Sequence, residues 1–394
     1  MDNVCEVLIL IIRLFKNLLP LITFVVILGC SNSELIPQRP SKPDNRRVRF
    51  RDIIHFDHFI LLEENDNAYI SQIQNAFFLG EFWIVFDSLG QKIYQYRSDG
   101  KFIGMISKVG EGPNEYQFIR NVSPFGDNSI IILTKKRLMA FNLEREYLWS
   151  LDSNDLGSAM PSNASWYPPD ILAIIDLPAV NHQEPRYKLF RLPPSSKKPQ
   201  FLGGFGQHYS FEYGTPFRRV VTKSMVLVND EIWVGSPYES HLDIYNLKGE
   251  ILKRLPSLHP DGVDLAHATK SIKKKHFSPS FGGKKTNRNV LLLEDVVVAS
   301  LKGGAPSVLF DFYGTDGTIL YPRVMSRNPP RLMSTHGKYI VGTIMVEPSS
   351  PNFEKSVTAT ELTGLRKAGL DRSKDQNFLW VGRLVDKMPR DEDH

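Results

Sequence analysis

A hairpin with an aromatic residue shortly before its turn recurs along this chain and constrains the fold more than any other feature. The aromatic positions of the successive copies are Tyr96, Phe141, Phe190, Tyr245 and Tyr313. In the three clearest copies a turn glycine stands four residues later, at Gly100, Gly249 and Gly317. Glycine suits a tight turn that needs a positive φ angle, so each copy predicts two short strands joined by a turn.

An apolar run precedes each hairpin. The clearest run is FWIVFD at 82–87, in which β-branched and aromatic residues alternate as they do in a strand with two faces. Successive aromatic positions are 45, 49, 55 and 68 residues apart. A repeat of about 45–50 residues with four short strands is typical of a propeller blade. Because one blade cannot bury both of its faces, neighbouring blades must pack face to face in a closed ring.

The two ends of the chain supply the remaining strands. Two further apolar runs lie at 338–346 and 377–385, and an early run at 56–64 has no partner of its own. We expect the early run to complete the last blade and close the ring. The sequence therefore predicts an all-β fold, a six-bladed β-propeller of four-stranded antiparallel blades, over residues 49–387, with a charged tail at 388–394.

The N-terminal segment predicts export. Arg13 and Lys16 precede an apolar run from Leu18 to Leu28, and Gly29-Cys30 follows at once. This order is typical of a secretory signal, and its last residues resemble a bacterial lipobox, in which the cysteine is lipidated and becomes the mature N-terminus. A membrane-spanning helix is the alternative, but the run falls short of the roughly 20 apolar residues that a bilayer requires.

We therefore predict a lipoprotein signal peptide at 1–29, a lipidated tether at 30–48 and membrane attachment through Cys30. The tether has little acidic sequence after the cysteine, which favours a periplasm-facing anchor in the cell envelope over a surface-exposed one. Cys5 would leave with the signal, so the mature domain has no thiol for a disulfide or a cysteine metal site.

Composition excludes several functional classes. A net charge of +5 is mild for a chain of 394 residues and does not indicate nucleic-acid binding, which would need a clustered basic face on a known binding module. The chain has no nucleophile elbow, no P-loop and no H-E-x-x-H helix motif. His55 and His58 lie close enough in sequence to suggest a metal site. Residues three apart on a regular strand point to opposite faces, however, so the two side chains could not bind one ion. We therefore predict no cofactor and no metal.

The segment GEGPNEY at 110–116 carries a family resemblance. It is similar to the G-x-G-P-x-E-Y segment of the six-bladed β-propeller lipoproteins of Bacteroidota, which are related in shape to NHL and TolB-like propellers. Asn114 stands where that family often has glycine, and asparagine also tolerates left-handed backbone. The resemblance covers roughly residues 50–385 and implies the fold and the cellular address more than an activity.

This segment and its flanks supply the candidate ligand residues: Glu111, Asn114, Glu115, Tyr116 and Arg120. Two interpretations remain open. The segment could be a rigid connector between blades, with Glu115 accepting backbone N–H bonds or pairing with Arg120 and Tyr116 packed between blades. It could instead line the mouth of the central channel, where loops of a propeller commonly bind ligands.

A second candidate lies in the long interval between the fourth and fifth hairpins. Residues 267–289 form a basic insertion whose proposed patch consists of Lys273, Lys274, Lys275, Lys284 and Lys285. A solvated loop is the simpler interpretation. The alternative is an electrostatic patch for an acidic glycan, a phospholipid headgroup or a partner protein.

These features favour a lipid-anchored binding or scaffold module of the cell envelope, whose partner is a glycan, a peptide or an envelope protein. The alternative is a propeller-type lyase or hydrolase, with a site assembled from several blades at the central channel. Neighbouring carboxylates in sequence do not make the facing pair that a glycosidase needs, although distant blades could bring such a pair together.

Overall fold

The computed structural model describes residues 49–112, 114–152, 155, 161, 163–176, 187–192, 200–205, 224–235, 241–256, 288–302, 307–327, 331–346 and 357–385. Cys30 and the lysines of the predicted basic patch lie outside the described residues. Within the described part, no helix is long and apolar enough to cross a membrane.

A one-turn helix α1 (Phe50–Ile53) leads into β1 (Ile54–Leu61), and five sheets follow in chain order. They are blade 1 with β2 (Ile73–Leu79), β3 (Phe82–Asp87), β4 (Lys92–Arg97) and β5 (Phe102–Met105); blade 2 with β6 (Ile119–Phe125), β7 (Ser129–Thr134), β8 (Arg137–Asn142) and β9 (Tyr147–Asp152); blade 3 with β10 (Asn163–Tyr167), β11 (Asp170–Asp176), β12 (Tyr187–Leu192) and β13 (Gln200–Phe205); blade 4 with β14 (Ser224–Val228), β15 (Glu231–Gly235), β16 (His241–Asn246) and β17 (Ile251–Pro256); and blade 5 with β18 (Arg288–Leu293), β19 (Val296–Lys302), β20 (Ser307–Gly314) and β21 (Ile319–Arg327). Blade 6 contains β22 (Arg331–His336), β23 (Tyr339–Val346) and β24 (Gln376–Leu384), with helix α2 (Ala359–Lys367) between the last two strands.

Blade 6 takes its fourth strand from the start of the chain, since β1 pairs antiparallel with β24. The register runs from Ile54 opposite Leu384 to Leu61 opposite Phe378. The predicted all-β six-bladed propeller is therefore confirmed, including its closure by strands from both ends. The first strands of neighbouring blades lie side by side, β2 with β6 and β22, and β18 with β14 and β22. These strands are innermost in the ring, and β1 is the outermost strand of blade 6.

Alternation along each strand builds the cores between blades. In β3, Ile84 and Phe86 pack toward blade 2, whereas Trp83 and Val85 pack toward blade 6. The described apolar residues form six clusters, and each cluster is shared by two neighbouring blades around the ring. The predicted face-to-face packing thus follows from the strand period of two.

The recurring aromatic residues all lie on the third strand of their blade, from Tyr96 on β4 to Tyr313 on β20. The turns that follow have the positive φ angles that the glycines predicted, +87° at Gly100 and +82° at Gly317. In the second blade Arg145 takes this conformation with φ 71°, so the glycine preference is not absolute.

Helix α2 is an element that the sequence analysis did not anticipate. Thr358 caps it by accepting a hydrogen bond from the Glu361 N–H (3.1 Å), and the Glu361 carboxylate accepts one from the Thr358 N–H (2.8 Å). This capping box was visible in the sequence as Thr-x-x-Glu. The buried Glu361 also accepts hydrogen bonds from Trp380 Nε1 and Arg51, so the helix is tied to blade 6 and to α1.

We expect different effects on stability when either of two tyrosines of β4, Tyr94 or Tyr96, is replaced by phenylalanine. The Tyr94 hydroxyl donates to the Tyr69 carbonyl oxygen (2.7 Å), whereas the Tyr96 hydroxyl is buried without a hydrogen-bond partner among the described residues. Burial raises the pKa of both phenols, that of Tyr94 to about 12. We expect Tyr94→Phe to lower the free energy of unfolding by about 1 kcal/mol, and Tyr96→Phe to leave it unchanged or raise it by up to about 1 kcal/mol. Urea unfolding of the two variants measures the difference, and an equal loss in both would contradict this account.

Candidate functional site

The innermost strands begin at one end of the ring, and the loops that arrive there form what we call the connection face. Its described residues include 69–72, 88–91, 106–118 without 113, and 135–136, together with the first residues of β2, β6 and β22. Strand direction places these elements together, because in an antiparallel blade the turn between its second and third strands lies at the end where the first strand begins. The candidate segment at 110–116 belongs to this face.

Side chains of the innermost strands bond from blade to blade just inside this end. Each donates to a main-chain carbonyl oxygen of the next blade: Ser334 to Ala76 (2.5 Å), Asn75 to Val122 (2.9 Å) and Ser123 to Ala164 (2.9 Å). These contacts set the blades at one common level along the channel and satisfy polar groups that the first strands would otherwise leave unpaired.

Two arginines lie three residues closer to the mouth of the channel. Arg331 donates to the Ile73 carbonyl oxygen (3.2 Å) and Arg120 to that of Pro161 (3.5 Å), so they repeat the same blade-to-blade contact. Both side chains are exposed. A guanidinium has five N–H donors, and each contact uses one of its nitrogens. Partial burial lowers the pKa of Arg331, although the residue as a whole is exposed.

Arg120 owes its position to a β-bulge. The pairing of β6 with β7 steps from Ile119 to Asn121, which leaves Arg120 as the extra residue. A bulge redirects a side chain, and such bulges are frequent next to functional sites. Equivalent irregularities occur in β2 and β22, so the beginnings of three inner strands are shaped in the same way.

The GEGPNEY segment is held together from inside. The Glu115 carboxylate accepts a hydrogen bond from the Gly112 N–H (3.0 Å), and a Cβ atom at Gly110 would lie 2.0 Å from the same carboxylate oxygen. Tyr116 is buried between blades 1 and 2, and its hydroxyl accepts a hydrogen bond from the Ile93 N–H (3.2 Å). Burial raises the pKa of this phenol.

This geometry supports the connector interpretation for Glu115 and Tyr116. Of the two contacts predicted for Glu115, the hydrogen bond with the main chain is present, since its carboxylate accepts from the Gly112 N–H. Arg120 does not pair with Glu115 but donates to the Pro161 carbonyl oxygen. Glu111 and Asn114 are exposed at the tip of the loop, where the Asn114 carbonyl oxygen accepts a hydrogen bond from the Ser107 hydroxyl. Of the predicted ligand residues, Glu111, Asn114 and Arg120 are therefore the ones that solvent reaches most freely.

A buried carboxylate organises the neighbouring loops. Asp87 accepts hydrogen bonds from the N–H groups of Ser71 (3.0 Å), Gln72 (2.9 Å) and Leu89 (3.1 Å). The Gln91 side chain then accepts one from the Ile119 N–H (2.6 Å), which links the same turn to the start of blade 2. Loops from blades 6, 1 and 2 are thus fixed to one another on the connection face.

This frame presents apolar side chains to solvent. Leu89 is 70% exposed, Tyr69 66%, Phe118 65% and Val109 51%. The Lys135 ammonium lies 6.0 Å from the centre of the Phe118 ring, at the outer limit of a cation–π contact. Most other large exposed apolar residues, such as Leu252 on β17, lie on outer blade strands. The four on the connection face are exposed on loops that well-defined hydrogen bonds hold in place.

Sequence reasoning did not identify Tyr69, Leu89, Phe118 or Arg331. No pattern distinguishes an exposed loop leucine from a buried one before the fold is known. A weak signal existed for the inner-strand arginines, because Arg-Asn-Val occurs at 120–122 and again at 288–290. The structure places both triplets at the start of an innermost strand, in blades 2 and 5.

A groove of about 580 Å³ lies elsewhere, between α2 and β1 on the outer edge of blade 6. Its lining includes the exposed His58, whose ring bonds to Asp57 (2.7 Å). A bulge between Phe56 and His58 breaks the simple alternation assumed for His55 and His58. Among the described residues, no group of three or more His, Cys, Asp or Glu side chains could hold a metal ion.

Comparison with known proteins gives a family. Residues 40–259, more than half of the chain, match the family described as a domain of unknown function, DUF4934. The chain belongs to the DUF4934 family. No similar sequence was found among curated proteins.

Two solved structures share the fold of this DUF4934 protein. A Bacteroides fragilis protein inferred to be exported has a TM-score of 0.64 at 12% identity, covering 86% of this chain and 98% of its own. A member of the DUF4221 family from Bacteroides vulgatus has a TM-score of 0.50 at 11% identity, covering 85% of this chain and 100% of its own. Identities this low establish a common propeller fold and nothing more specific.

Proposed function

We propose that this protein is a binding and scaffold module of the cell envelope that holds a glycan, a peptide or a partner protein on its connection face. The observation that carries this proposal is the combination of solvent-exposed apolar side chains with Arg120 and Arg331 at one end of the ring, where hydrogen bonds join the loops. Exposed apolar patches mark interaction sites, and aromatic residues and arginines contribute most to the binding energy of recognition surfaces.

The mechanism is recognition at several points by loops from different blades. Asp87 and Gln91 hold the turn of blade 1 against the loops on either side, so little conformational entropy is lost when a ligand binds. The inner-strand hydrogen bonds fix the level of the arginines relative to these loops. A ligand that spans blades 1, 2 and 6 would therefore meet a preformed surface.

Two observations support the proposed location in the cell envelope. The Bacteroides fragilis protein of similar fold is inferred to be exported, which agrees with the export signal read from residues 1–29. The lipobox-like sequence before Cys30 adds a lipid anchor, and each buried methylene of such a lipid contributes about 0.8 kcal/mol to membrane binding.

The anchor is tested by Cys30→Ala in the full chain. Without the thiol no lipid can be attached, so we expect the variant to move from the membrane fraction to the soluble envelope fraction with an unchanged melting temperature. Cys5→Ala is the matched control, because this cysteine lies inside the predicted signal, and it should stay with the membranes. Membrane recovery of Cys30→Ala equal to that of the unmodified chain would refute the anchor.

A further inference from the structure

The six innermost strands contain arginines and no acidic residue. The sequences of β2, β6, β10, β14, β18 and β22 are IQNAFFL, IRNVSPF, NASWY, SMVLV, RNVLLL and RLMSTH. Their arginines are Arg120, Arg288 and Arg331, and the other titratable residue, His336, ends β22. Because these strands surround the central channel, the channel wall that they form carries positive charge without a carboxylate to balance it.

All three arginines lie at the same end of the channel. Arg288 and Arg331 are the first residues of β18 and β22, and Arg120 is the second residue of β6. These strands belong to blades 5, 6 and 2, and an innermost strand begins at the end of the ring that carries the connection face. The topology therefore brings three arginine positions from three blades to the mouth of the channel.

Arg120 and Arg331 are oriented by neutral groups alone. Each donates from Nη1 to a main-chain carbonyl oxygen of the next blade, and neither forms an ion pair with a described acidic residue. The Glu115 carboxylate accepts from the Gly112 N–H of its own loop instead. Partial burial lowers the pKa of Arg331, because the guanidinium loses water there without gaining an anionic partner. An anion at the channel mouth would supply the missing interaction and engage the remaining N–H donors.

Blade 1 adds a neutral polar side chain between the blades of these two arginines. Gln74 is the extra residue of the bulge in β2, the position that Arg120 holds in β6. Its side chain is exposed and forms no hydrogen bond with a described residue. Arg331 donates to the Ile73 carbonyl oxygen, which belongs to the peptide bond with Gln74. An amide donor beside guanidinium groups suits an oxyanion, whose oxygens accept several hydrogen bonds at once.

We infer that the channel mouth on the connection face binds an oxyanion, the carboxylate or phosphate group of a ligand. Arg120 and Arg331 donate the charged hydrogen bonds, and Gln74 supplies a neutral donor. Arg288 adds positive charge at the same end of the channel. A guanidinium matches the geometry of carboxylate and phosphate oxygens, whereas a neutral ligand would leave both arginines without a counter-charge. This inference rests on the proposed binding function and names the acidic group that its ligand presents.

The test is isothermal titration calorimetry on the protein beginning at Ser31, which keeps every described residue. The probes are inorganic phosphate, succinate and glucuronate, with glucose as the neutral counterpart of glucuronate, all at one ionic strength so that screening is constant. We expect an anion to bind and glucose not to bind; phosphate alone would indicate a phosphate ligand, and succinate or glucuronate a carboxylate ligand. The double variant Arg120→Gln, Arg331→Gln should bind the same anion roughly tenfold or more weakly, because charged hydrogen bonds are lost.

The double variant Lys135→Gln, Lys136→Gln is the matched control, since it removes two positive charges from the connection face outside the innermost strands and should leave anion binding unchanged. Circular dichroism shows whether each variant is folded. If the double arginine variant is not, Arg331→Lys keeps the charge and should still bind the anion more weakly, because lysine lacks the guanidinium geometry.

The inference is overturned if no anion binds, if glucose binds as tightly as glucuronate, or if the arginine variants bind the anion as tightly as the unmodified protein. An equal loss of affinity in the lysine variant would also overturn it, since the effect would then be one of general charge. The proposed binding function would survive each of these results, because its own test is the peptide or sugar that copurifies with the protein.

Discussion

A chain that begins at Glu63 is expected to lose cooperative folding, whereas one that begins at Arg49 is expected to fold normally. The shorter chain lacks β1, which supplies the fourth strand of blade 6 and closes the ring. It also lacks α1 and Leu62. The buried apolar residues removed are Phe50, Ile53, Ile54, Phe59, Ile60 and Leu62.

The size of this effect follows from burial. Each large apolar side chain contributes roughly 1.5–3 kcal/mol when it is buried, so the six together amount to about 9–18 kcal/mol. That is comparable to the whole stability of an ordinary domain, about 5–15 kcal/mol. Thermal unfolding followed by circular dichroism tests the prediction. A cooperative transition within a few degrees of that of the longer chain would show that β1 does not close the fold.

Gly100→Ala is expected to lower the free energy of unfolding by at least about 3 kcal/mol, because it disturbs the same closure of the ring. Gly100 has a φ angle of +87°, and a Cβ atom there would lie 2.0 Å from the Leu61 carbonyl oxygen and 2.9 Å from a methyl group of Ile60. The Gly100 carbonyl oxygen also accepts a hydrogen bond from the Glu63 N–H (2.9 Å). The turn of blade 1 thus fits against the end of β1 with no room for a side chain.

Gly126→Ala separates the steric contact from the backbone conformation. Gly126 has a φ angle of +66°, but nothing lies within 4 Å of the position a Cβ atom would take. Its substitution should cost only the strain of a left-handed alanine, about 1–2 kcal/mol. The midpoint of urea unfolding, compared at equal slope, measures both losses. Equal losses of stability in the two variants would mean that the steric contact with Leu61 does not contribute to the destabilisation.

The fold could be predicted from the sequence because the apolar residues of its short strands alternate with a period of two. Alternation in FWIVFD predicted a strand with two apolar faces, and the structure sends Ile84 and Phe86 to one interface and Trp83 and Val85 to the other. The unpaired early run could be assigned to the last blade because a closed ring tolerates no lone strand. Helix α2 was not predicted, although Thr358 and Glu361 form a capping box that marks its first turn.

The candidate site was accessible only in part. Glycines and a proline drew attention to GEGPNEY, and in the structure Glu115 bonds within the loop while Tyr116 packs between two blades. Exposure is a property of the assembled fold, so neither Leu89 nor Phe118 could be singled out beforehand. Contacts such as Arg331 to Ile73 join residues 258 positions apart, and no local pattern predicts them.

Native mass spectrometry of the gently purified protein beginning at Ser31 tests the central claim, a ligand-binding scaffold, most directly. We expect a metal-free chain that carries a copurified peptide or sugar, and we expect this ligand to be missing from the Leu89→Ser, Phe118→Ser variant. A stoichiometric metal ion in place of such a ligand, retained in the variant, would contradict the account and favour an enzyme assembled from several blades.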